Sequence, residues 1–297
     1  MKRLVWYSGG RMPIGGQAVI EGVLMQNGDR AVIAVRNPQG EIVVEEVSPS
    51  RRIGKWRDIP FIRGPVRLYE MLSLGMRALN RSAEIAYGQT QSRGDLVLTV
   101  VLALGLVFGG FVVLPVFLAE RLPLQGTLLF NLVEGLIRIA FFLLYILGIS
   151  LLKDVRRLFQ YHGAEHKSVH AFEAGMGFSL AAAKRASPLH PRCGTAFILF
   201  AAVLTILIFS LIPSRVFWIR VVGRLLLLPV VVSISYEVLR LGGKYPNFPL
   251  LKPLLLPGLL LQRLTTREPD EAQLEVAMTA LRHAVEGARA ASSSTTA

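Results

Sequence analysis

Four of the five histidines in this chain fall between residues 162 and 190, and His162, His166 and His170 follow one another at intervals of four. On a helix that spacing sets three imidazoles along one face, because positions i and i+4 are neighbours there. Two adjacent imidazoles so placed can share one divalent ion. His162, Glu165 and His166 also fit the pattern His-x-x-Glu-His, the inverted form of the zinc-protease motif. In that chemistry the carboxylate beside a ligand takes a proton from water whose pKa the metal has lowered. Glu165 is therefore the candidate general base. The concentration of histidine is greater than an ordinary solvated helix face would show.

A second group, His190-Pro191-Arg192-Cys193-Gly194-Thr195, stands immediately before an apolar run. His190 and Cys193 can add ligands, and imidazole with thiolate suits zinc. The plainer reading makes Cys193 a small buried residue at a helix start and His190 an interfacial side chain. Glu237, after Tyr236 at the end of another apolar run, can reach the cluster as a ligand or as a partner orienting a histidine. It can equally pair with Arg240. The glycine-rich stretch Gly15-Gly16-Gln17-Ala18-Val19-Ile20-Glu21-Gly22 lacks the spacing of a phosphate loop. Its glycines serve close backbone packing or tight turns, and Gln17 and Glu21 are possible contributors to a site. Lys167, His170 and Tyr236 complete the set of residues expected to orient ligands or touch substrate. The expected cofactor is a divalent metal, zinc above others.

The elements that must position these residues follow from composition. Of 297 residues, 52% are hydrophobic and 18% charged, against roughly 25% charged in soluble domains. With a mean hydropathy of +0.48, the chain reads as a membrane protein. Its net charge of +13 lies mainly between the apolar runs, which fits anionic lipid heads and topology control. No helix-turn-helix or aromatic-basic RNA motif accompanies it, so nucleic acid is not an expected partner. The single Cys193 excludes an intrachain disulfide framework. The first ten residues hold too short an apolar run for a signal peptide, and the N-terminus is expected to be retained.

Four apolar stretches, 96–119, 128–152, 194–212 and 217–239, approach the length that crosses roughly 30 Å of hydrocarbon. Short turns join them into two helical hairpins. Lys and Arg gather in the N-terminal region (Arg51, Arg52, Lys55, Arg57, Arg63), in the middle loop (Lys153, Arg156, Arg157, Lys184, Arg185) and after the last run (Arg240, Lys244, Lys252). The positive-inside rule then places both termini and the middle loop in the cytoplasm. The fold class expected is an α-helical polytopic membrane protein of about four spans with a small α+β cytoplasmic N-terminal region. Its sections are 1–94, with a β-hairpin (31–36 and 41–47) and an amphipathic helix (65–87) that lies on the membrane or covers the hairpin; the first transmembrane hairpin, 95–152; the His-rich loop, 153–193; the second transmembrane hairpin, 194–240; an interfacial or re-entrant segment, 241–268, whose apolar part holds Pro253, Pro257 and Gly258; and a C-terminal helix and disordered tail, 269–297.

Glu134 and Arg138 lie inside the second span, and Arg220 and Arg224 in the outer part of the fourth. At about 1.5 Å per residue, Glu134 and Arg224 sit at similar depth, roughly 10 Å below the outer surface, so they can pair. A structural ion pair with a snorkelling Arg220 is preferred to a polar pathway, because no chain of further polar groups crosses the bilayer. A transporter is disfavoured for the same reason.

The stretches Gly15 to Val23, Tyr161-His162-Gly163-Ala164-Glu165-His166-Lys167, His190-Pro191-Arg192-Cys193-Gly194-Thr195, Tyr236-Glu237-Val238-Leu239-Arg240, and the run from Pro257 to Pro269 together resemble the YqhQ-like bacterial membrane proteins, domain of unknown function 1385. The resemblance covers nearly the whole chain. It implies a multi-pass protein of the bacterial cytoplasmic membrane, labelled a predicted metal-dependent enzyme. That label rests on the same histidines. Two functions remain in view: a metal-dependent hydrolase acting on a lipid or protein at the cytoplasmic membrane surface, with membrane lipids as its surroundings, and a non-catalytic scaffold or assembly factor whose histidines form a structural polar network.

Overall fold

The computed structural model describes residues 14–47, 56, 58–88, 93–190, 193–210, 214, 216–244 and 251–294. The chain is mostly helical, with one small antiparallel sheet near its start. Strands β1 (Ile14–Val19), β2 (Gly22–Asn27), β3 (Arg30–Arg36) and β4 (Ile42–Glu46) pair in sequence order as a meander. The expected hairpin is β3 and β4. The glycine-rich stretch before it supplies two further strands that composition did not announce, since glycine is a poor strand former.

Side chains of a strand alternate between faces, and here both faces are covered. Leu24, Ile33 and Val35 pack with Leu74, Ala78 and Ala86 of helix α1 (Arg63–Tyr87). Val23, Met25, Val32 and Ala34 pack with Tyr161, Ala164 and Val169 of α5 (Lys153–Glu173), and with Leu274, Ala277 and Leu281 of α10 (Glu271–Ser294). Burying one such aliphatic side chain contributes roughly 1.5–3 kcal/mol. Helix α1 thus covers the sheet, and its other face leaves Tyr69, Leu72 and Met76 exposed. It ends at Gly88, whose φ of 65° forms the left-handed cap.

The apolar helices follow. Helix α2 (Arg93–Phe108) continues through a π-helical turn (Gly109–Val113) into α3 (Leu114–Glu120), and α4 spans Thr127–Ile149. After α5 and the short α6 (Leu180–Arg185) come α7 (Gly194–Ser210), α8 (Phe217–Lys244) and α9 (Leu251–Thr265). Three stretches, Val97–Glu120, Thr127–Ile149 and Trp218–Leu241, are long and apolar enough to cross a membrane. The expected span at 194–212 is α7, whose apolar part among the described residues is the shorter Phe200–Phe209. Residues 211–212 lie outside the described residues, as do Arg51, Arg52, Lys55, Arg57, Pro191 and Arg192.

The segment with Pro253, Pro257 and Gly258 is a continuous helix rather than a broken one. Pro253 falls in its first turn, where no intrahelical N–H bond is required. Helix α9 packs along α7 and delivers its C-terminal end to the buried face of α5.

Glu134 is the shared partner of two arginines. It accepts from Arg224 Nη2 at 2.5 Å and also pairs with Arg138 one turn along its own helix. Arg220 does not snorkel: it is 1% exposed, with its guanidinium 3.8 Å from the Phe130 ring centroid.

Candidate metal centre

Helix α5 is buried almost continuously from Tyr161 to Val169, because the sheet and α10 cover one side and the end of α9 approaches the other. That approach requires Gly163. A Cβ there would stand 2.0 Å from the Arg267 carbonyl oxygen, whose residue donates its own N–H to Phe159 O at 2.9 Å. The fit places the last turn of α9 directly against His162.

His162 Nδ1 lies 2.8 Å from Thr265 O, and His166 Nδ1 lies 2.5 Å from Pro188 O. A carbonyl only accepts, so Nδ1 of each ring is the donor, and Nε2 is the nitrogen left to offer a lone pair to a metal. Metal-bound histidines are held in this way, by a backbone carbonyl or carboxylate on the other nitrogen. His162 Nε2 is 3.2 Å from Cys193 Sγ, and Cys193 also hydrogen-bonds His166. The two rings meet edge to face at 4.4 Å between centroids. One donor atom from each of His162, His166 and Cys193 lies within 4.8 Å of the others. Burial pushes the His166 pKa below its ordinary value, which keeps the ring neutral and available.

Glu165 is buried beneath the β1 strand, and the Gly16 N–H hydrogen-bonds its carboxylate. A Cβ at Gly16 would stand 3.0 Å from Glu165 Cγ and 2.4 Å from Leu24 O. Glycine therefore lets the strand close over the carboxyl. Burial raises the Glu165 pKa, opposed by the nearby His162 and His190. The carboxyl adjoins the cluster without being one of its three converging donors.

The remaining histidines are tied elsewhere. His170 Nδ1 is 2.8 Å from Ser187 O. His190 Nε2 is 3.4 Å from Glu173 Oε2, and its ring lies 4.6 Å from that of His170. Burial brings the His190 pKa down to about 4. Its backbone is clamped by Gln262: His190 N donates to Gln262 Oε1 and Gln262 Nε2 donates to His190 O, both at 2.8 Å. His190 O also accepts from Cys193 N at 3.3 Å. Gln262, the Thr265 and Pro188 carbonyls and Gly163 are the positioning elements that sequence reasoning did not single out. Gln262 is fully buried.

Other expected residues lie around or away from the cluster. Lys167, on α5, pairs with Glu268. Glu21 occupies the β1–β2 turn at φ 50°. It binds Arg157 through both carboxylate oxygens and accepts the Tyr161 hydroxyl at 3.2 Å. That network joins the turn to α5 and holds the Tyr161 phenol neutral, chiefly through burial. Gln17 points from the opposite face of β1 and donates to Met71 O of α1 at 3.4 Å. Glu237 does not join the cluster: Arg63 Nε donates to its Oε1 at 2.6 Å and Phe61 N at 3.3 Å, and Arg240 adds a weaker electrostatic attraction. Tyr236 lies against Gly64, where an added Cβ would stand 3.1 Å from the Tyr236 Cβ. These two residues join α8 to the start of α1.

The class of protein so defined is a helical chain with long apolar helices, a small covered sheet and a partly buried His-His-Cys cluster between them. The family described as "Protein of unknown function (DUF1385)" matches residues 59–287, and the chain belongs to that family. It is 37% identical over 287 residues, 89% of each chain, to the uncharacterized protein YqhQ of Bacillus subtilis (strain 168). No solved structure matches.

Proposed function

We propose that this chain is a multi-pass protein of the bacterial cytoplasmic membrane that binds one zinc ion through His162, His166 and Cys193 and acts as a hydrolase at the cytoplasmic membrane surface. The observation that carries the metal is the convergence of three donors within 4.8 Å, with both imidazoles fixed through Nδ1 on backbone carbonyls. The donor set fits zinc, which takes imidazole and thiolate ligands and leaves one position open in three-ligand catalytic sites. Bound there, the ion would supply Lewis-acid polarisation of a substrate oxygen.

The chain's own residues divide the remaining work. Glu165, held by Gly16 N–H, takes a proton from an attacking water and returns it to the leaving group. Gln262 and the Thr265 carbonyl fix the ligands in place. Embedding rests on three long apolar helices with α7 beside them, and orientation on the positive charge flanking them. The cluster then lies at the cytoplasmic start of α7, which favours a lipid or membrane-protein substrate.

A second reading, a scaffold whose cluster is a structural polar network, is favoured by one observation. His170 and His190 bond to separate partners, Ser187 O and Glu173. Cobalt substitution separates the two. An enzyme site gives a thiolate-to-cobalt absorption band that shifts when azide or a hydroxamate is added, because a coordination position is open. A band unmoved by exogenous ligands contradicts the hydrolase.

A further inference from the structure

Helix α1 presents two different faces. One, with Leu74, Ala78 and Ala86, lies on the sheet. On the other, Ile62, Pro65, Tyr69, Leu72 and Met76 recur at intervals of three and four residues, the spacing of one side of a helix. Tyr69 and Leu72 are each 60% exposed, and Ile62 and Met76 are 40% and 44% exposed. An apolar stripe of about four turns is more than the scattered single hydrophobics of a water-facing surface. Arg63, Arg67, Arg77 and Arg81 share one flank beside it.

What the stripe meets follows from where the helix is fastened. At its start, Gly64 approaches α8 so closely that an added Cβ would stand 2.9 Å from Ser233 Cα. Phe61, just before the helix, has a φ of 65°, which is rare for a bulky side chain. Helix α8 holds it there: Phe61 N donates to Glu237 and Phe61 O accepts from Ser233 Oγ, and the ring is left 60% exposed. Arg63 completes the junction on Glu237. Ser233 lies inside the apolar stretch Trp218–Leu241, ~12 Å before its end at 1.5 Å per residue. The start of α1 is therefore fastened alongside the apolar part of α8, and Phe61 shares the surroundings of that part.

The far end returns to the same boundary. Ser82 Oγ accepts Ile20 N at 3.1 Å, and the adjacent Glu21 binds Arg157, early in α5 and shortly after α4 ends at Ile149. From Gly64 to Ser82 the helix covers ~27 Å. It bridges the cytoplasmic ends of α8 and α4 and runs along the boundary between them. The sheet occupies its inner face, so the stripe is the face left to the lipid.

We propose that α1 is an interfacial helix whose stripe from Phe61 to Met76 inserts among the acyl chains of the cytoplasmic leaflet, with its arginine flank at the headgroups. The inference rests on the embedding of α4 and α8 and is independent of the metal centre. Because α1 carries the sheet, the inserted stripe also fixes the height of β1, the strand that covers Glu165.

The test is fluorescence quenching of the full-length protein in vesicles of phosphatidylethanolamine and phosphatidylglycerol. Each variant adds one tryptophan at an exposed position: Tyr69→Trp and Leu72→Trp on the stripe, Leu226→Trp on α8, and Glu41→Trp between β3 and β4. The emission added over wild type is measured with bromine on the lipid acyl chains, and separately with iodide on both sides of the membrane. The stripe tryptophans should lose most of their added emission to brominated lipid, as Leu226→Trp should, and iodide should quench only Glu41→Trp. Iodide quenching on the stripe as strong as at Glu41→Trp overturns the proposal, because that face then meets water. Protection from both quenchers overturns it too, because a second copy or another protein then covers the stripe. Two stripe variants are used so that one that misfolds does not decide the outcome. Leu226→Trp quenched by iodide and not by lipid overturns the embedding itself. Leu226→Trp quenched by lipid while the stripe is not overturns the interfacial helix alone.

Discussion

His162 Nε2 and Cys193 Sγ lie 3.2 Å apart although 31 residues separate them. The contact joins the middle of α5 to the residue before α7, and so couples the sheet-covered part of the protein to its apolar helices. Neither residue reaches this position through its own helix alone. His162 is turned by the Thr265 carbonyl, and Cys193 is carried by a loop that Gln262 holds at His190.

Gln262→Leu should therefore loosen the centre without touching a ligand. It strands the His190 N–H, worth roughly 1–3 kcal/mol when buried unsatisfied, and leaves the His190 carbonyl with Cys193 N as donor in place of two. It also frees the carbonyl that orients Cys193 N. Zinc affinity, measured by competition with a chromophoric chelator, should fall roughly 10–100-fold, the usual cost of losing such supporting contacts. Unchanged affinity would mean that the loop is positioned by something other than Gln262.

Gly163→Ala tests the approach of α9 to α5. Its Cβ would meet the Arg267 carbonyl oxygen at 2.0 Å, and because the obstacle is backbone, the two elements must separate. Overpacking of this kind costs roughly 1–3 kcal/mol or more. The same shift withdraws Thr265 O from His162, so thermal stability and zinc affinity should fall together. Gly148→Ala, where an added Cβ meets nothing within 4 Å, should lower neither.

Glu165→Gln gives a pH signature in protein stripped of metal. Burial raises the Glu165 pKa in the folded state, so the unfolded chain ionises first as pH rises. The contribution of this carboxyl is complete below its ordinary value of ~4.3 and is lost as pH climbs through the folded value. The slope is at most ~1.4 kcal/mol per pH unit. Chemical denaturation from pH 4 to 7 should show wild type losing stability relative to Glu165→Gln. Parallel curves would show that Glu165 is not ionising against burial. With metal present, the variant should keep its full zinc content, since Glu165 is not one of the three converging donors.

The histidine cluster was legible because helical spacing alone brings His162 and His166 together, and their types limit the chemistry. The sorting of the four histidines was not. His170 shares the spacing of His162 and His166, yet its ring is tied to Ser187 O while His190 turns to Glu173, and nothing in residue type marks that division. The supports that fix the tautomers are backbone carbonyls, which leave no mark on residue type. Glu237 could not be assigned from the sequence because its partner, Arg63, is 174 residues away, on the helix against which α8 packs. The long apolar helices could be read from length, whereas β1 and β2 were hidden by Gly15, Gly16 and Gly22. Two of those glycines are required: Gly16 by the Leu24 carbonyl and Glu165, and Gly22 by the Ala34 carbonyl.

The central claim is tested most directly by metal content, measured by inductively coupled plasma mass spectrometry on full-length protein purified in detergent without chelators. The account predicts one zinc per chain in wild type and in the control Glu237→Gln, and little or none in His162→Ala, His166→Ala or Cys193→Ser. Wild-type protein without stoichiometric metal, or ligand variants that retain it in full, would contradict the account.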